Sequence, residues 1–142
     1  MISYITDPSL KSGPKFLRKK INAWIKSTAA RYDFKVGDIC YIFCSDEKIL
    51  EVNKQFLQHD YYTDVITFDY TENGKINGDI FISVDTVKSN SEKFDTTYEN
   101  ELMRVIIHGV LHLTGQNDKT PETEKEMRRK EDLALEELIS MQ

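Results

Sequence analysis

Hydrophobic and polar positions change their period several times along the chain, and each change marks an element. Ile2 and Tyr4 with their neighbours predict a short first strand, followed by the loop DPSLKSGP. Phe16, Leu17, Ile21, Trp24 and Ile25 then recur at helical spacing to about residue 31. The run 38–44, DICYIFC, alternates as a strand does. Ser45 can N-cap a helix reaching Leu57, with Ile49, Leu50, Asn53 and Phe56 on one side. TDVITFDY and GDIFISV bracket TENGKIN, whose Asn73-Gly74 predicts an antiparallel hairpin. A helix follows from about Asp85 to Phe94. Thr96 with Glu99 forms a capping-box pattern for another over 98–114. Thr120, Pro121 and Glu122 are suited to N-cap, N1 and first turn of a last helix, with Met127, Leu135 and Leu138 facing inward.

This order predicts an α+β fold: a mixed sheet of about four strands, including one antiparallel hairpin, packed with about five helices. No Pro/Gly/Ser-rich linker divides the chain, so residues 1–142 are expected to form one domain. The helix 98–114 is apolar almost all round, which places it at the centre.

The polar residues of that central helix fall on one line. At about 100° per residue, Glu101, Arg104, His108, His112 and Gly115 lie within about 40° of a common direction. Leaving such groups unpartnered in a core costs roughly 1–3 kcal/mol each, so a cavity or a metal is expected beside them. His108 and His112, four apart, can turn two imidazoles to one ion. Gly115 lets the chain leave the helix, and Asp118 can then fold back as a third ligand. His, His and Asp suit zinc, and three protein ligands leave a fourth position open, as catalytic rather than structural sites do. Two satisfied core histidines, and Asp118 as a turn residue, are the bland alternatives. Gly109 stands where a metalloprotease would carry its glutamate base, which argues against a peptidase.

Composition changes the picture little. Hydrophobic residues at 39% and charged residues at 30% are ordinary for a globular protein. No apolar run approaches the length of a membrane span, and the N-terminus MISYITDPSLK lacks a signal-peptide pattern, so the cytoplasm is the expected location. Cys40 and Cys44 share a strand face about 13 Å apart, too far for a disulfide, and are expected to pack in the core. Charge is more informative in its distribution. The chain carries −5 overall, but residues 1–35 hold eight basic residues against Asp7 and Asp33, a local +6. A solvated amphipathic helix and a phosphate-binding face both fit that asymmetry.

HGVLHLTG, with the upstream NKQFLQHDYYTDVITF and NGDIFIS, resembles the YbeY family of bacterial metallo-endoribonucleases over residues 38–135. The resemblance implies a zinc-dependent, single-strand-specific endoribonuclease. It implies action in 3′-end maturation of small-subunit (16S) ribosomal RNA and in ribosome quality control, with one zinc ion and the small subunit as partner. RNA rather than DNA is the expected nucleic acid. In the family motif H-G-x-L-H-L-x-G-Y-D-H the third histidine falls on Asp118, while Gln116 and Asn117 replace Tyr and Asp. The resemblance also implies an Arg four residues after Asn53, and here that position is Leu57. Arg104, His59 or Lys54 is expected to supply the missing cation, with Arg104 counted alongside His108 and His112 as catalytic. Thr63, Asp64, Gly78 and Asp79 match family positions, and Asp64 and Asp79 are candidate imidazole acceptors besides their structural uses. Glu101 is expected to pair with Arg104 or to lie at an exposed edge. His59, Tyr61 and Tyr62 are candidates for stacking on RNA bases. The alternative function is a non-catalytic ribosome-assembly factor whose zinc is structural.

Overall fold

The computed structural model describes residues 1–57 and 63–141. Strand β1 (Ile2–Thr6) leads to α1 (Arg18–Arg31), β2 (Lys35–Cys44) and α2 (Asp46–Val52), which runs into a π-turn over Asn53–Leu57. Then come β3 (Val65–Asp69), β4 (Lys75–Ser83), α3 (Val84–Lys93), α4 (Tyr98–Leu113) and α5 (Pro121–Ser140). The α+β expectation holds: among the described residues there is one four-stranded sheet and there are five α-helices.

The sheet order is β1-β2-β4-β3, with β1–β2 and β2–β4 parallel and only the β3–β4 hairpin antiparallel. That hairpin closes through Asn73 (φ 52°) and Gly74 (φ 75°), with Glu72 and Lys75 exchanging backbone hydrogen bonds. Two consecutive left-handed residues make the tight turn whose twist matches the strands. Closure this tight lets β4 begin at Lys75, three residues before the GDIFISV run suggests.

Side chains alternate across the sheet. Ile39, Tyr41 and Phe43 from β2 and Ile76, Ile80 and Ile82 from β4 face α1 and α4 in the main core. The opposite face carries a smaller cluster of Cys44, Ile49, Val52 and Ile66 beneath α2. Trp24 is wholly buried and donates its indole N–H to the Ala134 carbonyl at 2.7 Å, tying α1 to α5. Tyr41 donates to the Ile106 carbonyl at 2.9 Å, so even the sheet's polar tip lands on α4.

Helix α4 lies in the centre, as its composition predicts. Its N-cap is Thr97, whose hydroxyl accepts from Asn100 N–H at 3.1 Å. Thr96, the expected cap, instead accepts from the Asn100 side chain at 2.8 Å. Helix α5 starts as expected, with Thr120 and Thr123 in a reciprocal capping box and Pro121 in the first turn.

Candidate metal centre

Gly109 explains how α4 is held. A Cβ built there would meet Ile80 Cδ1 at 2.8 Å and Cγ2 at 3.0 Å. The helix rests directly on β4, and the position after the first histidine faces the sheet. A glutamate there has neither room nor access to the helix's polar side. That side carries His108 and His112, with their rings 4.5 Å apart, edge to face.

Helix α4 ends in a Schellman turn. Gly115 (φ 100°) donates its N–H to the His112 carbonyl, and Gln116 donates to the Leu111 carbonyl at 3.1 Å. This reversal brings the Gln116 carbonyl 2.9 Å from His112 Nδ1. A carbonyl only accepts, so Nδ1 carries the proton and Nε2 keeps its lone pair. On the other ring, His108 Nδ1 lies 2.6 Å from Glu131 Oε2 of α5. Glu131 in turn accepts from Arg104 at 2.9 Å, and a second nitrogen of Arg104 donates to Asp132 at 2.8 Å. Ionised and accepting only, Glu131 likewise leaves Nε2 of His108 outward.

Both Nε2 atoms converge on Asp118. Its Oδ2 lies 3.5 Å from His108 Nε2 and 3.7 Å from His112 Nε2. The three ligand atoms all lie within 4.8 Å of one another. A tetrahedral zinc with bonds of about 2.0–2.1 Å needs ligand–ligand edges of roughly 3.4 Å, so the two shorter separations fit the ion closely. The donor chemistry fits as well: two neutral imidazole nitrogens, with tautomers set from behind, and one carboxylate.

Electrostatics follow from burial and neighbours. Burial pulls the His108 pKa down, but the Glu131 hydrogen bond and charge outweigh it and raise it above the ordinary value. Burial and the His108 charge lower His112. Burial alone would raise Glu131, yet His108 and Arg104 hold it below the usual range. Asp64 is raised by burial against the neighbouring charge of His108. Glu101 is also raised, first by burial and then by Asp64.

Two cavities open on the trio. One, of about 700 Å³, lies among α3, α4 and α5 and reaches His108 and Asp118. The other, of about 510 Å³, runs along the inner face of edge strand β3 past Val65 and Thr67 to both histidines.

Several expectations need correction. The imidazole acceptors are Glu131 and the Gln116 carbonyl, not Asp64 or Asp79. Asp79 receives the Tyr70 hydroxyl at 3.4 Å, while Asp64 lines both cavities beside the metal trio. Glu101 is buried, and Arg104 pairs with Glu131 and Asp132 in its place. Arg104 still lines the larger cavity, but two of its nitrogens are engaged by carboxylates. His59, Tyr61 and Tyr62 lie outside the described residues. Glu131 escaped sequence reasoning because it belongs to another helix. Its one signal is an acidic residue among the inward positions Met127, Ala134 and Leu135 of α5.

Comparison with known proteins gives the family and the fold. The family model described as Endoribonuclease YbeY matches residues 6–139. The chain belongs to the YbeY family. Relatives named Endoribonuclease YbeY include one from Parabacteroides distasonis, 61% identical over 86% of this chain and 86% of its own length. Another, from Phocaeicola vulgatus, is 57% identical over 99% of this chain and 100% of its own. Among solved structures, the solution structure of TM1509 from Thermotoga maritima superposes with a TM-score of 0.67 at 30% identity. That match covers 97% of this chain and 89% of the other.

Proposed function

We propose that this YbeY-family chain is a zinc-dependent endoribonuclease that cuts single-stranded RNA. Its site is His108, His112 and Asp118, and its natural substrate is the 3′ region of small-subunit ribosomal RNA in the bacterial cytoplasm. One observation carries the reading: three ligand atoms converge at a point that two cavities approach from different sides. A structural zinc is closed by four protein ligands, whereas a site with three has a place for water or substrate. Zinc bound there would supply a Lewis acid able to polarise a phosphoryl oxygen and to lower the pKa of water.

The chain's own residues do the rest. Glu131 holds the proton on His108 Nδ1, and the Gln116 carbonyl holds the one on His112 Nδ1, so both rings present Nε2. Arg104 positions Glu131. RNA brings its own nucleophile, the 2′-hydroxyl, which fits a site whose glutamate position is filled by Gly109 against Ile80.

The test is turnover of a single-stranded oligoribonucleotide by protein of measured metal content, comparing wild type with His112→Ala. Loss of cleavage and of zinc, with the circular dichroism spectrum retained, supports the reading. Wild-type protein that holds zinc but leaves RNA intact favours the assembly-factor alternative, which Leu57 at the family's arginine position motivates. Specificity for the ribosomal 3′ end is checked by cleavage mapping on precursor small-subunit RNA.

A further inference from the structure

The larger cavity carries features that metal coordination does not use. Phe94 closes α3 and is 56% exposed, yet its C-cap role needs only its backbone N–H, which donates to the Asn90 carbonyl at 2.9 Å. Its ring therefore lines the cavity without being required there for the fold. The Lys93 ammonium lies 5.5 Å from the ring centroid. Across the cavity, α5 presents Lys125 and Arg128, both exposed and three apart, on the stripe that continues to Glu131. Arg128 approaches Glu131 only at 3.9 Å, so most of its donors face outward.

Charge is layered within this space. The carboxyls of Glu101 and Glu131 are buried at the floor with Asp64 and Asp118 partly buried beside them, whereas the exposed rim carries Lys125 and Arg128 with the acid Glu124. A volume of about 700 Å³ falls in the range of small-ligand sites, roughly 300–1,000 Å³. An exposed ring, rim cations and a floor that ends at two of the metal ligands together suit one nucleotide of a single strand. Bases stack on aromatic faces whatever their sequence, and cations hold the backbone.

We propose that this cavity is a nucleotide subsite, in which a base of single-stranded RNA stacks on Phe94 while Lys125 and Arg128 hold the phosphate adjoining the scissile bond. The proposal rests on the RNA reading above and deepens it.

The experiment uses metal-loaded full-length protein and a labelled single-stranded oligoribonucleotide. Loss of one base–aromatic stack predicts a KM about tenfold higher for Phe94→Ala, with kcat within twofold of wild type and zinc content unchanged. Phe94→Trp is expected to restore KM, and its added fluorescence to be quenched by RNA. Arg128→Gln is expected to reduce the slope of log affinity against log salt by about one. If Phe94→Ala fails to fold, the tryptophan variant decides alone, since an unquenched indole at position 94 overturns the subsite. Wild-type cleavage with an unchanged KM in Phe94→Ala overturns it too. Wild-type protein that neither binds nor cleaves single-stranded RNA removes the RNA reading itself and the subsite with it.

Discussion

Glu131 is the side chain on which the proposed metal centre leans, and removing it tests the whole arrangement. Its two oxygens serve different masters: Oε2 receives His108 Nδ1–H at 2.6 Å and Oε1 receives Arg104 at 2.9 Å. The side chain is only 7% exposed, so both contacts are shielded from water. Taking one partner out of a buried charged pair costs about 3–5 kcal/mol. Arg104 keeps Asp132 at 2.8 Å, but that carboxylate is 54% exposed and such pairs return at most about 1 kcal/mol. Glu131→Ala should therefore destabilise the metal-free protein by about 2–4 kcal/mol. Loss of an acceptor behind a ligating histidine weakens metal binding by about 10–100-fold. Glu131→Gln keeps the shape and one acceptor oxygen but not the charge, so its losses should be smaller on both measures. Chelator competition for zinc and thermal unfolding of the metal-free protein read the two quantities separately. Zinc affinity in Glu131→Ala equal to that of wild type would refute the tautomer-setting role.

Three further outcomes are expected. Gly109→Ala should overpack the contact with Ile80 and cost about 1–3 kcal/mol, read as a lower Tm; an unchanged Tm would mean that α4 does not bear on β4 as described. Glu101 has its carboxyl pKa raised by burial and by Asp64, so its ionisation opposes folding. Its favourable neutral form is lost as pH rises through the folded pKa, so Glu101→Gln should gain stability over wild type as pH rises above the ordinary carboxyl value of 4.5; a gap that stays constant with pH contradicts this. Cys44 is buried with its thiol pushed up to about 12, whereas Cys40 is half-buried. A disulfide-exchange reagent at about pH 8 should therefore modify Cys40 first and Cys44 only on unfolding; two fast thiols would contradict that order.

Much of the site was legible without coordinates because it is local. His108, His112 and Gly115 belong to one helix and its end, where a fixed rotation per residue dictates which side chains share a line. Asp118 is three residues beyond Gly115, and a glycine-ended helix has few ways to turn. The hairpin was legible for the same reason, since Asn73-Gly74 specifies its own backbone. Local rules were weaker at element edges: Thr97 displaced Thr96 as the cap of α4, and the helix after Ser45 passed into a π-turn at Asn53.

Periodicity and turn chemistry thus determine the strands, the helices and the convergence of His108, His112 and Asp118, because each depends on neighbours within a few residues. What packs behind the trio is decided only when α5 crosses α4. That crossing puts Glu131 against His108 across 23 residues of chain and engages Arg104, at the wall of the larger cavity, with two carboxylates. It also places Phe94 and Arg128, from different helices, around one space. No local period encodes such meetings. They follow from the burial of one apolar face of α5, and the polar contacts come along with it.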